Sequence, residues 1–160
     1  MKTPAEIQAM DLRRTCFHEA GHLIALQSFG GVGHFRVEKV PGVQSIYTHR
    51  AFTGYCEVLI DPVGENREHQ HRVIGMAGLA AEYLDEDPDT QPDEIWDAII
   101  DGSRTLSSTD RKHGATYEAI EEAFAVLRSR WSDVVREAEF EIKCWVTAPG
   151  ESHPSHGGEG

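Results

Sequence analysis

Phe17-His18-Glu19-Ala20-Gly21-His22-Leu23-Ile24 is the stretch from which the rest of the chain can be read. Phe17, Ala20 and Ile24 recur near a 3.6-residue spacing, with Met10 a candidate for the same apolar stripe, and this predicts a helix. On a helix, His18 and His22 stand one turn apart and project from one face. Two neutral imidazoles so placed can hold a zinc ion, and Glu19 between them is placed to act on a water molecule. The H-E-x-x-H pattern therefore points to metal-assisted hydrolysis, most often of a peptide bond. The competing reading is a pair of surface histidines on a polar helix face.

The helix has two candidate starts. Thr3-Pro4-Ala5-Glu6 is a capping box with proline at the first helical position, and Asp11 is an alternative cap. Gly30-Gly31-Val32-Gly33 predicts its end near Phe29. Strands are expected over 35–40, ending at Pro41-Gly42, over 44–48, and over 53–60, closed by Asp61-Pro62. A second helix is expected from Gly64 or Asn66 to Leu84. Its centre, Gly75-Met76-Ala77-Gly78-Leu79-Ala80-Ala81-Glu82, is rich in small residues. Each interior glycine costs about 0.8–1 kcal/mol relative to alanine, which predicts close approach of another backbone, with Ala20-Gly21 the natural partner. Further helices are expected over 92–101, from Ser107 or Ser108 through about Arg130, and over 132–146. The fold class is α+β, mainly α, with a small β-sheet between the first two helices. Residues 1–148 read as one domain and 149–160 as a disordered tail.

Composition narrows the class. A chain of 160 residues with 39% apolar content supports a single core. No apolar run approaches membrane-spanning length and there is no apolar leader, so a soluble, cytoplasmic protein is expected. Three cysteines, Cys16, Cys56 and Cys144, form no C-x-x-C pair and no disulfide framework. A formal charge of −12 argues against nucleic acid or an anionic membrane as partner. Eight carboxylates and no Lys or Arg lie between Asp85 and Asp101. They read as a solvated face, or more sharply as an acidic lip favouring cationic peptides.

A catalytic zinc needs a third protein ligand and an open position. Glu82, on the small-residue helix, and Asp110, after Ser107-Ser108-Thr109, both qualify by spacing, and His113 is a weaker third candidate. His34, His49, His69 and His71 read as surface groups, and His153 and His156 lie in the tail. Trp96, Trp131 and Trp145 read as packing residues.

The same segments resemble the peptidase domain of the FtsH family, membrane-anchored ATP-dependent zinc metalloproteases. His-Glu-Ala-Gly-His at 18–22 has that family's form. The region from Val37 to Gly54-Tyr55, Gly78-Leu79-Ala80-Ala81-Glu82, and Ser107-Ser108-Thr109-Asp110 with Ala115-Thr116 resemble its later segments, over roughly residues 12–130. The resemblance implies that His18, His22 and Asp110 bind zinc, that Glu19 is the general base, and that Glu82 bonds to a ligand histidine. It implies a peptide or unfolded-protein substrate, with a separate ATPase as the partner for folded substrates. The chain departs from the family in carrying no ATPase module and no transmembrane helix, in the acidic 85–101 segment, and in Gly114, which shifts the Ala-Thr pair by one residue. Two other functions stand beside a stand-alone zinc metallopeptidase: a non-catalytic, zinc-stabilised peptide-binding or regulatory module, and a zinc hydrolase of other amides or esters.

Overall fold

The computed structural model describes residues 2–41 and 51–147. The first helix, α1, spans Pro4–Ser28. The capping box at Thr3 starts it: Thr3 Oγ1 accepts from the Glu6 backbone N–H at 3.1 Å, and Glu6 Oε1 accepts from the Thr3 N–H at 2.8 Å. Asp11 is therefore no cap. It lies inside α1, 3% exposed, and its Oδ2 accepts from the backbone N–H groups of Ala51 and Phe52, both at 2.8 Å. A helix carboxylate thus anchors the start of a strand. Met10 is half-exposed rather than part of the buried stripe. At the other end, Gly30 adopts φ +81°, a conformation glycine takes without strain. The N–H groups of Gly30 and Gly31 turn back to the carbonyls of Gln27 and Leu26.

Two strands follow, β1 (Val32–Lys39) and β2 (Phe52–Ile60), paired antiparallel with Phe35 opposite Cys56 and Val37 opposite Gly54. Both strands are longer than the pattern suggests, by three residues at the start of β1 and one at the start of β2. The inner face, with Val37 and Phe52 buried, lies on α1. The strand expected over 44–48 and residue 149–160 tail lie outside the described residues, as does Gly42 of the expected turn.

Helix α2 spans Arg67–Glu86 and packs along α1. The small residues are what let it do so. A Cβ on Gly21 would fall on the Ala77 carbonyl oxygen and 2.7 Å from Ala81 Cβ. Arg13 of α1 fastens the far end with two 2.7 Å hydrogen bonds to Asp85. Helix α3 spans Pro92–Ile100, with Ile95 and Ala98 buried and Trp96 and Ile99 partly so.

The single helix expected from Ser107 or Ser108 to Arg130 is two. Helix α4 is one turn, Ser108–Arg111, and α5 spans Tyr117–Ser129. Gly114 at φ +84° ends the first, with its N–H bonded to the Arg111 carbonyl. Thr116 starts the second, its Oγ1 accepting from the Ala119 N–H at 3.1 Å. A left-handed glycine followed by a good N-cap splits the segment between the Ser107-Ser108 start and the apolar stripe beginning at Ala119. Helix α6, Trp131–Thr147, packs on α1. Phe17, Ile24, Met76, Ile120, Phe124, Leu127 and Val134 form one continuous core between these helices. No helix among the described residues is long and apolar enough to cross a membrane.

Replacing Gly21 by valine forces apart a close backbone contact between α1 and α2. Overpacking of this kind costs about 1–3 kcal/mol, or roughly 2–12 °C of melting temperature at this chain length. A thermal melt matching wild type would show that the α1–α2 contact has slack.

Candidate metal centre

Three side chains from two parts of the chain converge. His18 and His22 arrive from α1 and Asp110 from α4, with one ligand atom of each inside a 4.8 Å span. His18 Nε2 lies 3.1 Å from Asp110 Oδ2, and His22 Nε2 lies 3.2 Å from Asp110 Oδ1. Ligands about 2.0–2.1 Å from a tetrahedral ion are themselves roughly 3.3 Å apart, so the donor set and its spacing fit a zinc-like ion. His113, the weaker candidate, lies elsewhere. It stacks on His71 with ring centroids 4.6 Å apart, and its Nδ1 faces Glu68 at 3.4 Å. Glu82 is also outside the three-donor cluster, for a reason its geometry makes plain.

Each histidine has its other nitrogen occupied. His18 Nδ1 pairs with Glu82 Oε2 at 2.5 Å, and His22 Nδ1 with the Ile74 carbonyl at 2.7 Å. Such partners hold Nδ1 as the donor and leave the Nε2 lone pair for a metal. Asp110 is buried, and its backbone N–H donates to Ser107 Oγ at 3.1 Å. The small residues of α2 serve this corner as well as the core. A Cβ on Gly75 would sit 3.1 Å from the Asp110 carbonyl oxygen, and one on Gly78 would sit 2.6 Å from both Nε2 atoms.

Glu19 lies beside the cluster, 6% exposed, with Oε1 buried and without a hydrogen-bond partner. Its Cγ packs where a Cβ on Gly54 of β2 would be, 2.7 Å away. Burial pushes its pKa up, against the pull of His22 and His18, while Asp110 and Glu82 add to the rise. That moves a carboxylate toward the neutral range in which a general base works best.

Without a metal the cluster is an ion-pair network. Burial disfavours charge on His18, but hydrogen bonds to Asp110 and Glu82 outweigh it and raise its pKa to about 10. Burial likewise opposes the charged Asp110, and the two histidines overcome it and depress its pKa. Glu82 is held low against burial by His18 and by Arg104, whose guanidinium lies 2.7 Å from Oε1.

Sequence reasoning missed Arg104 and the Ile74 carbonyl. The second leaves no trace in side-chain identity. The first does have a signal, since Arg104 is the first cation after the acidic run 85–101. The remaining described histidines pair with surface carboxylates, His34 with Glu57 at 3.1 Å and His69 with Glu122 at 2.7 Å. His49, His153 and His156 lie outside the described residues. No family model and no curated protein matches the chain.

Two predictions follow from this geometry. Gly78→Ala gains about 0.8–1 kcal/mol of helix propensity but places a methyl group against both Nε2 atoms. That gain partly offsets an overpacking cost of about 1–3 kcal/mol, so the fold should survive with a modest loss of stability while uptake of zinc or cobalt, followed by dialysis and metal analysis, is lost; full uptake would remove the cluster as a metal site. The second concerns pH. Charged His18 is favoured in the folded chain over an unfolded value of about 6.5. Its stabilisation is complete below that value and lost as pH rises toward 10. Asp110, shifted the other way, contributes above its ordinary value near 3.9 and loses that contribution only in acid. The melting temperature of the metal-free chain should therefore fall between about pH 6.5 and 10, and His18→Gln should flatten that fall.

Proposed function

We propose that this chain is a zinc-dependent metallopeptidase of the FtsH kind, hydrolysing peptide bonds in peptides or unfolded segments. The observation that carries the reading is Glu19. A buried carboxylate oxygen without a partner, directly beside a His-His-Asp donor set, is costly for a fold to keep. It has a use if a substrate or water completes it.

His18, His22 and Asp110 would hold the ion, with His18 and His22 binding through Nε2. Zinc bound there supplies a Lewis acid that acidifies water and polarises a carbonyl. Glu19 takes the proton of the attacking water and delivers it to the leaving amine nitrogen. Glu82 and the Ile74 carbonyl hold the two imidazoles in the orientation that aims both Nε2 atoms at one point. Among the described residues β2 pairs only with β1, and an extended peptide could add to its other edge as a further strand. Gly54 brings that strand against Glu19, so a peptide added to it would pass the base. Substrates are then extended and flexible, and folded ones require a separate ATPase to unfold them. A cytoplasmic location fits the three unpaired cysteines.

The test compares wild type with Glu19→Gln, Asp110→Ala and Glu82→Ala in zinc content and in cleavage of a peptide library. Glu19→Gln should keep zinc and lose at least about 10²-fold in cleavage rate. Asp110→Ala should lose zinc, and Glu82→Ala should weaken it. Zinc lost only in Glu82→Ala would reverse the ligand assignment. Zinc retained by a wild type that cleaves nothing would replace the peptidase with a zinc-stabilised binding module.

A further inference from the structure

Beyond the three donors and the base, one residue is built into the site from a distance. Arg104 follows α3, where the chain turns at Gly102, φ +80°. The Arg104 N–H bonds back to the Ala98 carbonyl at 3.1 Å, and the Ser103 N–H to Asp101 Oδ1 at 2.8 Å. The backbone beneath Arg104 is thus tied to the end of α3. Its guanidinium lies over the Tyr83 ring, 5.2 Å from the centroid, and donates to Glu82 Oε1 at 2.7 Å. The other carboxylate oxygen of Glu82 takes His18 Nδ1. A chain of contacts therefore runs from the end of α3 through Arg104 and Glu82 to His18.

We infer that Arg104 is a positioning residue for the metal centre, acting through Glu82 to fix the His18 imidazole. The inference rests on the zinc reading given above. A carboxylate with two occupied oxygens has one orientation. With Oε1 released, Glu82 can rotate about its last bond, and His18 loses the partner that sets its ring plane and tautomer. Arginine suits this task because its planar fork can stack on Tyr83 while it donates to the carboxylate. Removing a group that orients a ligand histidine typically weakens metal binding 10–100-fold, and Arg104, one bond further out, should fall at the lower part of that range.

The experiment titrates Zn2+ against a chromophoric chelator in wild type, Arg104→Ala, Arg104→Lys, Arg13→Ala, Glu82→Gln and the double variant Glu82→Gln/Arg104→Ala. It adds the visible spectrum of each variant loaded with Co2+ and the melting temperature of each metal-free chain. Arg13 is the control, because it also bridges to a carboxylate of α2, Asp85, but has no link to a histidine. Expected are about tenfold weaker zinc and an altered cobalt spectrum in Arg104→Ala, partial recovery in Arg104→Lys, and wild-type behaviour in Arg13→Ala. In the Glu82→Gln background the further change Arg104→Ala should cost almost nothing, since its route is already cut. Wild-type zinc affinity in Arg104→Ala, or an undiminished cost in the Glu82→Gln background, overturns the positioning role and leaves the metal centre standing. A wild type that takes up neither Zn2+ nor Co2+ overturns the metal centre itself and Arg104's role with it. A drop in affinity matched by Arg13→Ala would mark a general charge effect and also overturn the inference.

Discussion

The approach of α1 to α2 at Gly21 is the contact on which everything else is hung. With no side chain at that position, the Ala77 carbonyl and Ala81 methyl come directly onto the α1 backbone. Only at that separation can His18 reach Glu82 and His22 reach the Ile74 carbonyl, since both partners belong to α2. The same closeness would bury the imidazoles against a side chain if position 78 carried one. Small residues at 75, 77, 78 and 81 therefore answer to different neighbours: the Asp110 backbone, Gly21, the two Nε2 atoms, and Gly21 again. A stretch that looks like a single compositional bias is a set of separate steric requirements.

The electrostatics follow from that packing. Five ionisable side chains, those of His18, Glu19, His22, Glu82 and Asp110, share a small volume at the α1–α2 seam, and all are largely withdrawn from water. Burying such groups is tolerable only when opposite charges and donors meet. The two histidines can balance Asp110 and Glu82, and Arg104 adds a further positive charge at the outer edge. Glu19 is left over, raised by burial and bonded through Oε1 to nothing.

Much of this was legible in the residues. A first helix ending near Phe29, with the Thr3 capping box as one of its two candidate starts, the sheet before the second helix and the tight α1–α2 contact were expected from pattern and composition. The spacing of His18 and His22 predicted one face, and Asp110 and Glu82 both lie against these histidines, Asp110 on their Nε2 side and Glu82 on His18 Nδ1. Other features were hidden for physical reasons. Residues 112–116 carry no apolar pattern of their own, so the expected helix ran across them from the cap at Ser107 or Ser108 to the apolar stripe beginning at Ala119, and the break at Gly114 and Thr116 depends on a local competition that periodicity does not measure. Asp11 looks like a helix cap because caps and buried anchors use the same side chain, and what it anchors is forty residues away. Arg104 is visible only as a charge; its aim depends on how α3 ends.

The separation of His18 from Asp110, 92 residues along the chain, has a temporal meaning. A ribosome adding about 5–20 residues per second delivers the two partners roughly 5–20 s apart. During that interval the emerging chain holds two histidines and a glutamate but not the third donor, and the seam that aims the imidazoles requires α2 to have formed. The centre is therefore assembled late, after most of the hydrophobic core has something to pack against. A chain with this order of parts spends its own synthesis with the two imidazoles unaimed, and closes the His18–Asp110 contact only once the core around it can form.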